Sequence, residues 1–251
     1  MHAFSTTPFL AAALLVFWLG LSLRSFNRGA ISLAALLTVL LWLTGLGAWG
    51  VGTARWATNG YYDSPEFLAL LPGLWWPLTP TVITAVLLAL PAFRSALYTV
   101  ISEHSRAFVW VQALRVAAIG GVLKGMNGLL PPSFALPVGI PDFLFGLSAL
   151  SLAAFWPKGG WSPRTLIVWN LIGMAVIMPA PVLMQMGLPG PLQLFTSPPD
   201  ANALFDYPMV LAPTLIVPLF ITMNGLHATV LWLGAEQRRP VVPAAGVGSR
   251  A

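Results

Sequence analysis

Cysteine is missing altogether from this 251-residue chain, and charge is scarce: Asp, Glu, Lys and Arg together make up 8% of it. Without cysteine there is no disulfide framework, no thiolate nucleophile and no Cys-ligated zinc or iron–sulfur cluster. Soluble domains carry about 25% charged residues to keep their surfaces wet, so most of this surface faces something other than water. Lysine occurs only at Lys124 and Lys158. Neither lies in the last apolar run, which excludes a retinal Schiff base there. Histidine is limited to His2, His104 and His227, too few in mid-run for a bis-histidine haem. There is no Gly-rich phosphate loop and no HExxH pattern. The sequence therefore predicts no metal, no cofactor and no catalytic residue of these familiar kinds.

Apolar residues fill the space that charge leaves. They make up 57% of the chain, and mean hydropathy is +0.82. Runs of roughly 18 residues, enough to cross a bilayer core, recur along the whole length. The pattern predicts an all-α integral membrane bundle of about seven transmembrane helices. The spans fall at 8–23, 30–51, 78–93, 107–123, 141–156, 165–186 and 208–233, with a short tail over 237–251. The third is bent or ended near Pro91. Prolines inside the later spans read as kinks, because neighbouring helices can satisfy the freed carbonyls.

Charge placement sets the orientation. With the N-terminus outside and the C-terminus cytoplasmic, the inner segments hold Arg24, Arg28, Arg94, Arg106, Lys158, Arg164, Arg238, Arg239 and Arg250, against Arg55 and Lys124 outside. That is the positive-inside bias, and six or eight spans would scramble it. The net charge of +5 is thus a topology signal. No contiguous basic patch exists to follow a nucleic-acid backbone. His2 is the only ionisable side chain before the first run, which reads as an uncleaved span rather than a signal peptide. Trp49, Trp56, Trp75 and Trp76 fall at the outer boundary and Trp156, Trp161 and Trp232 at the inner one, as interfacial anchors do.

The outer loops are the longer ones. Ser64-Pro65-Glu66 has the form of a helix start, with a capping hydroxyl, a first-turn proline and an acid at the positive dipole end. The following stretch, 67–76, is too short to span and is expected in the interface. The uncharged, proline-rich stretch 130–140 reads as a loop that dips into the membrane.

Arg115 is the most informative residue. It lies midway between Arg106 and Lys124, hence near mid-bilayer, where a charge must face the interior and find a partner. Asp142 is the candidate. It follows Pro141 at the expected start of the fifth span, where the helix dipole favours a carboxylate, and helical rise puts it within roughly 7 Å of the Arg115 level. Gln112 shares the Arg115 face. Asn170, Asn224 and His227 supply further polar groups in the last two spans, of the kind that usually bond helices together. One enzyme pattern survives: Gly146-Leu147-Ser148-Ala149 is a loosened form of the GxSG motif of rhomboid proteases, with His227 as the base. Helical rise sets the two residues at different depths, and the small residues serve close helix packing equally well.

The sequence from Gln112 and Arg115, through Leu130-Pro131-Pro132-Ser133-Phe134-Ala135-Leu136-Pro137-Val138-Gly139-Ile140-Pro141-Asp142 and Gly146, to Trp169-Asn170 and the prolines at 208, 213 and 218 resembles a widespread, uncharacterised family of bacterial polytopic inner-membrane proteins. It departs from that pattern at Asn224, where a histidine is expected. The resemblance brings no activity. It implies a bacterial inner-membrane location, and that Arg115, Asp142 and Asn170 belong together. The favoured expectation is a non-enzymatic subunit or accessory protein, partnered by the bilayer and by other membrane subunits through its outer loops or helix faces. A small-solute or proton-coupled carrier is the alternative, and an intramembrane serine hydrolase the third.

Overall fold

A computed structural model describes residues 5–237. His2, Arg238, Arg239, Arg250 and the tail beyond Gln237 lie outside the described residues. Among the described residues the regular structure is entirely helical. Six helices are long and apolar enough to cross a membrane, and a pair bent by 107° makes a seventh if counted as one span.

The first helix, α1 (Thr7–Asn27), begins with Pro8 in its first turn, where a missing N–H costs nothing. In α2 (Leu33–Thr58), the Ser32 hydroxyl accepts the Ala35 N–H at 3.2 Å. Two short helices follow, α3 (Pro65–Ala69) and α4 (Pro72–Trp75), and then α5 (Thr79–Leu87). The Ser64 cap forms as the sequence indicates, accepting the Phe67 N–H at 3.2 Å.

The third expected span, 78–93, is interrupted near Pro91 as the sequence indicates, with a bend of 107°. The chain turns after α5 into α6 (Pro91–Glu103). Phe93, Ala96, Leu97, Val100 and Ile101 are buried on one face of α6, while Arg94 and Ser102 are exposed. This is the stripe of an amphipathic helix lying on a protein surface, and Pro91 lets the helix begin afresh in a new direction.

The next candidate span, Ser105–Met126, is composite. An α-helical turn set, α7 (Ser105–Val111), tightens into a 3-10 stretch over Gln112–Ala118 and relaxes into α8 (Ile119–Met126). Close packing accompanies the change. A Cβ on Gly146 would lie 2.5 Å from the Val116 nitrogen, so only glycine lets the two backbones approach there.

The helix α9 (Pro132–Ala154) holds the largest correction. Residues 132–140 are helical, not a dipping loop, and Pro137 and Pro141 lie inside the helix. Asp142 is therefore ten residues beyond Pro132, far from any helix start, and no dipole holds its charge. The prolines that suggested a boundary are accommodated because surrounding helices can satisfy the groups they free.

The chain continues through α10 (Pro163–Ile177), capped by Ser162, and α11 (Ala180–Gly187), broken from α10 at Pro179. A π-helical stretch, Ala212–Ile216, then leads into α12 (Val217–Gln237). This last span is the most enclosed, with 72% of its most apolar window buried.

The bundle has two distinct ends. At the basic end, Arg24, Arg28, Arg106, Lys158 and Arg164 flank helix termini, and Ser25 of α1 donates to Glu103 at 2.6 Å. At the cap end, the loops fold over one another. Tyr62, Phe67 and Phe205 are buried together, with Tyr62 stacked on Phe205 at 4.8 Å. The Gly73 N–H donates to Gln185 at 2.9 Å. The 67–76 stretch thus packs on protein, Phe67 against Phe205 and Trp76 against Trp49.

Candidate functional site

Arg115 is 1% exposed, on the 3-10 stretch. In that tighter helix residues three apart eclipse, which aligns Gln112 and Arg115. The guanidinium is held from three sides. Nε donates to Asp142 Oδ1 at 2.5 Å, Nη2 to the Gly173 carbonyl at 3.0 Å, and Nη1 to Gln112 Oε1 at 3.4 Å. Its charge also lies over the Phe145 ring, 4.1 Å from the centroid, within cation–π range. Helices α9 and α10 are both tied to Arg115 through this one side chain.

Asn170 does not join the pair, contrary to what the family resemblance implies. Its amide nitrogen donates to the Leu166 carbonyl at 2.7 Å and lies 3.2 Å from His227 Nδ1. Asn170 sits about one turn before Gly173, and it is the Gly173 carbonyl that reaches Arg115. His227 Nε2 lies 2.8 Å from the Ser105 hydroxyl, so α7, α10 and α12 are joined by a second polar group. Asn224 is fully buried, and neither of its amide atoms has a hydrogen-bond partner among the described residues.

Ser148 and His227 are committed elsewhere. Ser148 donates to the Phe145 carbonyl at 2.6 Å and accepts from Trp169 Nε1 at 3.0 Å, while His227 has Ser105 and Asn170. The Ser148–His227 couple of the GxSG-like pattern is not assembled, and the serine that meets His227 is Ser105. Among the described residues no group of three or more His, Asp or Glu side chains is placed to hold a metal ion.

A chamber of about 420 Å³ opens beside the ion pair, within the range of small-molecule sites. Arg115 and Asp142 lie at its polar end, and Lys124, Asn127 and the hydroxyl residues Ser5, Thr6 and Thr7 also line it, toward the cap end. Between them the walls are apolar. Each irregular piece of helix contributes: Leu114 and Ala118 from the 3-10 stretch, Val138 and Gly139 between the α9 prolines, Pro181 after the α10–α11 break, and Pro213 and Ile216 from the π stretch. Such departures from α geometry recur at functional sites. Sequence reasoning found the ion pair and missed the chamber; the proline spacing at 137, 141, 181 and 213 was the available signal.

Titration is perturbed at both ends of the bundle. At the cap end, burial first, and then Asp63 and Asp200, push the Asp206 carboxyl up. At the basic end, desolvation holds the His104 imidazole below its ordinary range. Glu103 opposes that shift, and Arg24 and Arg28 reinforce it.

These features define the class: a helical bundle with at least six helices fit to cross a membrane, and a charged pair beside an interhelical chamber. The chain belongs to the family described as a domain of unknown function, DUF8737, whose model matches residues 74–233. That stretch contains Gln112, Arg115, Asp142, Asn170, Asn224 and His227. No curated protein and no solved structure matches the chain.

Proposed function

We propose that the protein is a non-enzymatic, multi-pass protein of the bacterial inner membrane that takes up a small molecule in its chamber, as a carrier or membrane receptor does. The basic end is cytoplasmic and the cap end outside, in keeping with the positive-inside rule. The observation that carries this reading is the placement of Arg115 and Asp142 on an open chamber rather than in a sealed core. A pair that served only to clasp helices has no need of adjacent space.

The accessory-subunit reading rested on long outer loops offered to a partner. Those loops bury Tyr62, Phe67 and Phe205 against one another, which leaves less surface for that purpose. The hydrolase reading loses its support with the separate commitments of Ser148 and His227.

The absence of native cysteine makes the test direct. Gly121 lines the chamber, and a Cβ there would meet nothing within 4 Å. In membranes, Gly121→Cys is expected to react with N-ethylmaleimide, whereas Ala149→Cys, at a fully buried position, stays inert. Equal inertness at both positions would mean a closed chamber and would sink the reading.

A further inference from the structure

The chemistry of the chamber narrows what it takes up. Its charged floor is asymmetric: the Arg115 side chain is 0% exposed and that of Asp142 15%. The guanidinium sits behind, its donors directed to Asp142, Gln112 and Gly173. The carboxylate stands in front. Only Oδ1 of Asp142 is engaged, by Arg115, and Oδ2 takes no hydrogen bond from the described residues. What the floor presents is therefore a free, half-buried acceptor with its charge already balanced, and such an acceptor gains from a hydrogen-bond donor.

Charge sorts the three kinds of headgroup that can reach the floor. Among the described residues the ionisable side chains lining the chamber are Arg115, Asp142 and Lys124, which sum to one positive charge. An ammonium head would meet that excess, with Lys124 along its route. A carboxylate or phosphate head would be drawn to Lys124, but at the floor it would face Asp142 with no proton to donate. An uncharged donor such as a hydroxyl is opposed by neither group.

The walls specify the rest of the molecule. Leu114, Val138, Met184, Ile216 and Phe220 are apolar, and a polar solute would leave its own groups unpaired against them. Gly120 and Gly121 both face open space, with nothing within 4 Å of an added Cβ. On the same helix Leu123 is exposed. A chain leaving the chamber past the two glycines would run from the protein interior onto lipid-facing surface.

Resting on the reading of the chamber as an uptake site, we propose that its ligand is a neutral single-chain amphiphile. The molecule carries a hydroxyl-type donor that seats on the free Asp142 oxygen, and its apolar chain extends past Gly120 and Gly121 toward the bilayer. No bond is made or broken on binding.

Protection of Gly121→Cys from N-ethylmaleimide tests this with defined probes. 1-Dodecanol is expected to slow labelling. Its methyl ether has the same chain without the donor, and should require about tenfold more for equal protection, the value of one hydrogen bond to a charged acceptor. Dodecanoate, dodecyltrimethylammonium and glycerol should protect no better than the ether. Adding Asp142→Asn should remove most of the difference between alcohol and ether; the ether comparison needs no second mutation, so the proposal stays testable if that variant does not fold. Equal protection by alcohol and ether overturns the proposal, since Asp142 would then not be the recognising group. Stronger protection by dodecanoate also overturns it and points to Lys124. In either case a reactive Gly121→Cys leaves the uptake reading standing, whereas an unreactive one removes both.

Discussion

The two polar groups inside this bundle are built from similar materials and used differently. At the chamber, Arg115 and Asp142 present one saturated face to the protein and one unsatisfied oxygen to open space. Deeper toward the basic end, Ser105, Asn170 and His227 bond to one another across three helices, and none of the three lines the chamber. A polar group directed at its neighbours holds helices together, which is the common role of such side chains in membranes. A polar group directed at space is free to meet a ligand. The contrast turns on where the free lone pairs point, and four substitutions or conditions can break or sharpen it.

The largest effect is expected at the chamber. Asp142→Asn leaves the Arg115 charge buried without its counter-ion, and should cost about 3–5 kcal/mol of stability in detergent. Replacing both residues with uncharged ones should recover part of that loss. A single variant as stable as the parent protein would show that the pair bears no structural weight.

The Ser105–Asn170–His227 group should respond less. His227→Leu removes two hydrogen bonds of the interhelical kind, at roughly 0.6–1.7 kcal/mol each. Thermal unfolding of the purified protein measures this directly, and the labelling of Gly121→Cys should be unchanged. Altered labelling would join the two groups into one functional unit and end the distinction.

Asn224 sharpens the comparison from the other side. It is buried with both amide atoms unpartnered among the described residues, so Asn224→Leu is expected to be neutral or stabilising, within about 1 kcal/mol of the parent. A marked loss of stability would mean that the amide has a polar partner in the membrane.

The smallest effect belongs to the surface seam at the basic end. The folded His104 titrates below its ordinary value of 6.5, so the unfolded chain binds the proton more readily. The stabilisation is complete above pH 6.5 and is lost as pH falls from there through the lower folded value. A shallow loss of stability on acidification should therefore disappear in His104→Asn. Persistence of the same slope in that variant would place its origin elsewhere.

Much of the chamber's floor was legible in the sequence, and its shape was not. Arg115 stood out because a charge within an apolar run must find a partner, and Asp142 was the acid within reach. The context assigned to Asp142 was wrong: its neighbouring prolines suggested a helix start, yet α9 runs through both. The 3-10 stretch left no local mark, since it packs against a distant segment at the approach of Gly146 to Val116. The π stretch was marked only by Pro213, which reads as a kink. The Ser64 cap was readable because its chemistry is complete within four residues. The apolar stripe of α6, Phe93 to Ile101, was also present in the sequence. It went unread because the third span was ended at residue 93, whereas the helix that starts at Pro91 continues to Glu103.

In the membrane placement proposed above, the electroneutrality of the Arg115–Asp142 pair bears on the response to membrane voltage. A charge carried across the full field changes energy by about 2.3 kcal/mol for each 100 mV, so a lone arginine at this depth would act as a gating charge. Moving together with its carboxylate, it transfers none, and a neutral molecule seated on Asp142 adds none. On the uptake reading proposed above, occupancy of the chamber follows how much ligand the bilayer holds, and hyperpolarising or depolarising the cell leaves that balance where it was.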